Sequence, residues 1–200
     1  MYIRFDEASR VFTLETVNTA YIMRVDFDKY LTHVFYGDKK DAAGPYAEPY
    51  MMSFSPYHVE GDGRYCIDSV MSEFPQFGSG DLRSSAIKVR NENGDSVTLF
   101  TYKSYRISEG RRDIPALPFA SASDKAETLE ITLEDKVSGC ELKLYYTVYP
   151  DEDVISRYFT VTNVGEKKAK LERAMSLALD IADRRMDVIC FPGRHCLERR

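Results

Sequence analysis

Between Tyr65 and Ala86 the run YCIDSVMSEFPQFGSGDLRSSA gathers Asp68, Glu73, Asp81 and Arg83 around two glycines, Gly78 and Gly80. The carboxylates supply acceptors and Arg83 a planar fork of donors. The glycines permit positive φ and a close approach of the backbone to a partner. That combination points to a binding loop. Asp81 and Arg83 stand two residues apart and share one side of an extended segment, where they either orient the hydroxyl groups of a ligand or pair with each other and fix the loop. Two carboxylates can divide acid and base work if the fold holds them across a substrate bond. Spacing along the chain, however, does not set Asp68, Glu73 and Asp81 opposite one another, so no catalytic residue is assigned.

Histidine and cysteine add little further chemistry. His58 follows Pro56 and Tyr57 in an irregular stretch and, like Glu73, is a weaker candidate than Asp68, Asp81 and Arg83. His33 lies on the apolar parity of Leu31 and Phe35, which predicts a packed imidazole with its hydrogen bonds satisfied. The four cysteines, Cys66, Cys140, Cys190 and Cys196, have neither disulfide-framework nor zinc spacing and read as buried free thiols. His195 beside Cys196 has no second pair to complete a metal site. GSGD at residues 78–81 lacks the lysine of a phosphate loop, and neither HExxH nor GxSxG occurs. No metal or organic cofactor is expected.

Acidic residues outnumber basic ones 32 to 27, for a formal charge of -5. That balance offers no broad positive field to a phosphate backbone, which argues against nucleic acid as a partner. The first residues, MYIRFDEASRVF, hold neither a basic segment followed by an apolar run nor a membrane span, so the default expectation is a cytoplasmic protein with no membrane partner.

The elements that must position the loop show a period of two. Leu129, Ile131 and Leu133 alternate with Thr128, Glu130, Thr132 and Glu134. After a reversal at residues 135–139, Leu142, Leu144, Tyr146 and Val148 resume one parity, which predicts an antiparallel hairpin. VISRYFTVTNVG, Phe12/Leu14, Tyr21/Met23/Val25 and Leu31/His33/Phe35 continue the pattern. Asn93-Gly94 predicts a second hairpin within AIKVRNENGDSVTLF. Leu171, Met175, Leu177 and Leu179 predict a strand, and DVICFP from Asp187 a further short one. Two excursions interrupt the alternation: residues 37–60 with Pro45, Pro49 and Pro56, and residues 109–127 with Arg111 and Arg112, which are expected either to pair with carboxylates or to meet hydroxyl groups. The fold class is all-β, a large sandwich of mostly antiparallel strands, with a core rich in the 14 tyrosines and 11 phenylalanines.

EFPQFGSGDLRSSAI, then ALPFASASDKAETLEITLEDKVSGCELKLYYTVYPDEDVISR, then AMSLALDIAD resemble the amino-terminal β-domain of bacterial family 36 α-galactosidases, over a stretch from about Asn18 to the final ERR. The resemblance implies a β-supersandwich, galactose-mutarotase-like in general architecture. Residues 1–200 are then an incomplete amino-terminal domain, with the catalytic (β/α)8 barrel absent from this chain. It further implies a longer enzyme that removes terminal α-1,6-galactose from melibiose- and raffinose-type oligosaccharides with retention, needs no cofactor, and assembles as a homo-oligomer, a tetramer in the family. In that setting the segment around Asp68 and the run ending at Arg83 form the rim of a neighbouring sugar pocket or a subunit contact. Two other readings stay open: a free-standing carbohydrate-binding or interaction sandwich, and an epimerase-like enzyme in which His58 or His33 converges with an acidic residue around an open cleft.

Overall fold

The structure, a computed structural model, describes residues 1–26, 29–42, 44, 67, 70–78, 80–114, 125–180, 187, 189–193 and 196. Among them are strands and two short 3-10 turns but no α-helix. Strands β1 (Ile3–Asp6), β2 (Val11–Glu15), β3 (Thr19–Val25) and β4 (Leu31–Asp38) form one antiparallel sheet in sequential order. Strand β5 (Ile87–Arg90) is set apart from it. Strands β6 (Thr101–Glu109), β7 (Glu127–Asp135), β8 (Cys140–Tyr149) and β9 (Val154–Asn163) form the second sheet, and β10 (Lys170–Ala174) returns to pair with β5. The all-β expectation is met.

The β7–β8 hairpin shows why this sequence folds so. Its register sets Leu129 opposite Tyr146, Ile131 opposite Leu144 and Leu133 opposite Leu142, so these six residues reach the same face. Ile3, Phe12, Leu14, Tyr21 and Met23 of the first sheet pack into the same core. Rings meet across the sandwich, with Tyr105 4.8 Å from Phe5 and 5.2 Å from Phe12. Each such side chain contributes roughly 1.5–3 kcal/mol on burial. The reversal after β7 is held by Asp135, whose carboxylate accepts from the amides of Val137 and Ser138. Gly139 closes it at a φ of 69°, where a Cβ would stand 3.0 Å from the backbone of Gly165.

Several expected details differ. The turn at Asn93-Gly94 forms, with Asn91 N–H donating to Asp95 O, but its two arms do not pair as a hairpin. Instead β5 takes β10 as its partner, and the Gln76 side chain acts as a surrogate strand for the other arm: Phe100 N–H donates to its oxygen at 2.6 Å and its nitrogen donates to Phe100 O at 3.2 Å. The strand expected through Leu179 ends at Ala174 after a bulge between Leu171 and Arg173, and none of its residues is buried. No strand begins at Asp187 among the described residues. In β4, Ile22 faces Phe35 and Met23 faces His33, so Val34 is an extra residue and the inward parity passes from His33 to Tyr36. Of the cysteines, Cys140 is buried and free as expected, whereas Cys190 and Cys196 are exposed, neither of them belonging to a strand; Cys66 lies outside the described residues.

At one end of the sandwich, Asp153 ties the β8–β9 turn to the β2–β3 turn. It adopts a left-handed φ of 53°, and its carboxylate accepts from the Thr16 hydroxyl at 2.6 Å and the Asn18 amide at 2.8 Å. The Thr16 bond first, then those from Asn18, hold this carboxyl below its ordinary range against a smaller opposing effect of burial. A carboxyl depressed in the folded state binds fewer protons there than in the unfolded chain. Its stabilisation is therefore complete above the unfolded value near about pH 4 and is lost as pH falls through the folded value. We predict that Asp153→Asn flattens the loss of stability below about pH 4, measured by urea unfolding across pH; identical pH profiles would contradict this latch.

Candidate functional site

Glu73 stands at the centre of the sandwich. Its side chain is 0% exposed, and both carboxylate oxygens are occupied. Oε1 accepts from the hydroxyls of Tyr21 and Tyr146, each at 2.7 Å, and pairs with Arg157 Nη1 at 2.9 Å. Oε2 lies 2.8 Å from the Tyr21 hydroxyl and 3.2 Å from His33 Nδ1. A buried carboxylate costs several kcal/mol, on the order of 3–5 if its partner is removed, and persists only with such a set of donors.

Each donor is placed by strand parity. Tyr21 comes inward from β3 and His33 from β4, while Tyr146 comes from β8 and Arg157 from β9, where it shares the inward parity of Ile155, Phe159 and Val161. Four strands of two sheets thus converge on one side chain. Backbone contacts complete the attachment: His33 N–H donates to Met71 O at 2.7 Å, Glu73 N–H to Leu31 O at 3.0 Å, and Arg157 Nη2 to Glu73 O at 3.0 Å. Arg157 also packs over the rings of Tyr146 and Phe74, with its guanidinium carbon 5.3 and 5.8 Å from their centroids.

The electrostatics are self-consistent. Burial first, then the neighbouring Glu73 carboxylate, pushes the Tyr21 and Tyr146 phenols far above their ordinary value, so both remain donors. Burial works against the Arg157 charge, but interactions with Tyr146, Glu73 and Tyr21 outweigh it and raise its value. His33 must carry its proton on Nδ1 to donate to Glu73. Its Nε2 is buried with no partner among the described residues, which suits a bare lone pair better than an orphaned N–H. The cluster then holds one negative and one positive charge.

Glu73 is therefore not an outward-facing contact of an exposed loop, because the loop turns it into the core. His33 is packed as expected, but its hydrogen bonds are not all satisfied, because the buried Nε2 has no partner among the described residues. His33 and Glu73 also converge, as an epimerase-like reading requires, yet their side chains are 2% and 0% exposed, and no sugar reaches them.

Asp81 and Arg83 occupy the outer part of the same segment. Asp81 Oδ1 accepts from Arg83 N at 3.0 Å and Nε at 2.8 Å, and Oδ2 accepts from Nη2 at 2.9 Å. Arg83 Nη2 also donates to Ile67 O at 3.3 Å. The aspartate is spent on fixing the loop, its side chain 1% exposed against 31% for Arg83. Between them Leu82 projects outward, 87% exposed. The glycines act as their types suggest: Gly78 and Gly80 take φ of 90° and 89°, and a Cβ on Gly78 would stand 2.8 Å from the backbone of Ser96 and Val97. Asp68 and His58 lie outside the described residues. In the second excursion Arg112 donates to Glu130 at 2.9 Å and covers the Tyr145 ring, and Arg111 pairs with Asp113, so both arginines meet carboxylates. No group of three or more metal-ligating side chains occurs among the described residues, and no helix there is long and apolar enough to cross a membrane.

The sequence profile of the glycosyl hydrolase family 36 N-terminal domain matches residues 29–200, a stretch that includes Glu73, Arg157 and the Asp81–Arg83 turn. The chain belongs to this domain family. It is 36% identical over 203 residues to the bifunctional alpha-galactosidase/sucrose kinase AgaSK of Mediterraneibacter gnavus, covering 100% of this chain and 22% of that protein. An alpha-galactosidase of Lactobacillus acidophilus is also 36% identical over 203 residues, covering 99% and 28%. The galactosidase domain of AgaSK superposes with a TM-score of 0.81 at 34% identity, over 88% of this chain and 25% of that one. A doubly substituted variant of the alpha-galactosidase AgaA of Geobacillus stearothermophilus, solved in complex with raffinose, superposes with a TM-score of 0.74 at 34% identity, over 84% of this chain and 24% of that one. The family 36 domain chain thus spans about a quarter of the length of these relatives.

Sequence reasoning did not find Tyr21, Tyr146 and Arg157 as the partners of Glu73. One signal was present: an arginine on the apolar parity of a core strand demands a buried counter-charge. We predict that Tyr146→Phe and Tyr21→Phe in this family 36 domain each cost about 1–3 kcal/mol in urea unfolding, because each leaves the buried carboxylate short of a donor. Replacement of the exposed Lys125, paired at the surface with Asp151, is expected to leave the unfolding midpoint unchanged.

Proposed function

We propose that this chain is the non-catalytic N-terminal portion of a retaining α-galactosidase that hydrolyses terminal α-1,6-galactosyl residues of melibiose- and raffinose-type oligosaccharides. The observation that carries the reading is the match of residues 29–200 to the family 36 N-terminal domain, together with relatives that are α-galactosidases about four times its length. The site geometry agrees with a supporting role. The acidic residue with the richest surroundings, Glu73, is sealed in the core, and Asp81 is engaged by its own loop. A retaining glycosidase needs two carboxyl groups about 5–5.5 Å apart and open to the sugar, and neither Glu73 nor Asp81 is open to one. Catalysis then resides in a barrel outside residues 1–200, with no cofactor.

In this reading the domain contributes to homo-oligomer assembly, a tetramer as in the family, and to the rim of the sugar pocket in a cytoplasmic enzyme. Within the rim Arg83 is the residue with a donor edge to spare, since Nη1 has no partner among the described residues, and Leu82 offers an apolar knob beside it. Asp81 acts by orienting Arg83, and Asp68 remains a proposed member of the same rim.

The test compares two purified proteins, residues 1–200 and the polypeptide expressed from the chain's own gene, with raffinose as substrate. The first is expected to show no turnover and the second to release galactose with retained configuration. In the second, Arg83→Ala is expected to raise KM or weaken oligomer assembly while leaving kcat within about twofold, the pattern of lost uniform binding. Turnover by residues 1–200 alone would overturn the division of labour.

A further inference from the structure

The 70–86 segment is held by backbone hydrogen bonds, by the Gln76 side chain on Phe100 and by a charged attachment. Its first residues join β4 through backbone hydrogen bonds, with Thr32 and Ser72 forming an isolated bridge, and its last residues run into β5. The charged attachment is Glu73 with Arg157, and Arg157 reaches onward: its Nη1 also donates to Ala178 O at 3.3 Å, while Met175 N–H donates to Ala86 O at 2.8 Å. One guanidinium therefore binds the side chain and carbonyl of Glu73 near the start of the segment and the backbone just past β10, whose own contacts hold the segment's end.

We propose that Glu73 is the positioning residue of the Asp81–Arg83 turn. Its carboxylate keeps Arg157 in the core, and Arg157 in turn fixes both the Glu73 backbone and the 175–178 backbone against which the segment closes. Neutralising Glu73 leaves Arg157 as an uncompensated buried cation, which relieves its cost by moving toward solvent and releases both backbone contacts at once. Beyond the general loss of stability, the consequence falls on the tip of the segment, where Arg83 is oriented, more than on the hydrophobic core of β7 and β8. The consequence for sugar binding rests on the pocket-rim reading above; the mechanical consequence does not.

Hydrogen exchange on residues 1–200 tests the mechanical part. Glu73→Gln is expected to accelerate exchange at amides between Met71 and Ala86 by about tenfold or more beyond the acceleration that β7 and β8 amides share through the lowered global stability; equal acceleration of the two sets, or none, overturns the proposal. Tyr146→Phe, which keeps the carboxylate and Arg157 paired, is expected to show a smaller effect on the same amides and serves if Glu73→Gln does not fold.

Kinetics on the polypeptide from the chain's own gene test the functional part. Glu73→Gln is expected to raise the KM for raffinose by about tenfold with kcat per folded molecule retained, and its effect is expected not to add to that of Arg83→Ala. A merely structural role would lower the amount of folded enzyme and leave KM where it was, and that result overturns the proposal. If Arg83→Ala alone leaves both KM and oligomer assembly unchanged, the pocket-rim reading fails and the exchange experiment alone decides the positioning role.

Discussion

A carboxylate and a guanidinium sit between two β-sheets of an otherwise aromatic and aliphatic core, and the arrangement of the domain follows from keeping them together. The Glu73 side chain is 0% exposed and that of Arg157 7%. Neither charge is tolerable there alone, and the strands around them are committed to supplying donors: Tyr21 and His33 from one sheet, Tyr146 from the other. Apolar burial drives the sheets together without direction. The polar cluster adds register, because a slip of β3, β4, β8 or β9 by one residue would turn a donor outward and leave the carboxylate short.

Much of the fold was legible in the sequence. Alternation in Leu129/Ile131/Leu133 and Leu142/Leu144/Tyr146/Val148 pointed to the central hairpin because one face of each strand is fully buried, which makes parity an unambiguous signal. It weakened where burial is incomplete: β10 is exposed along its length, so Met175, Leu177 and Leu179 share a parity without a strand to carry it. Pairing that depends on a single side chain was not legible either. Nothing in the alternation of AIKVRNENGDSVTLF reveals that the Gln76 amide replaces a neighbouring strand for Phe100.

The site was legible in place and not in orientation. The turn of Gly78 and Gly80, the pairing of Asp81 with Arg83 and the packing of His33 appear as residue types and spacing suggest. By type alone Asp68, Glu73 and Asp81 all offer acceptors, whereas in the structure Glu73 points inward and Asp81 is consumed locally. Periodicity had no purchase on them because the segment is neither strand nor helix. Arg157, by contrast, stands in a regular strand on its apolar side. Taken as a pair, an arginine with the core parity and a glutamate followed by Phe74-Pro75 describe the ion pair that organises the domain, and the family 36 domain relationship explains why that scaffold recurs in proteins several times longer.

The most direct test of the ion pair's organising role is a double-mutant cycle for unfolding between Glu73→Gln and Arg157→Met in the 200-residue chain. Each single replacement is expected to cost about 3–5 kcal/mol by stranding the opposite group. The double replacement is expected to cost at least about 2 kcal/mol less than the sum of the two, since it removes both charges together. Additive losses would show that the two side chains stabilise the domain independently, and would contradict the central role of their pairing.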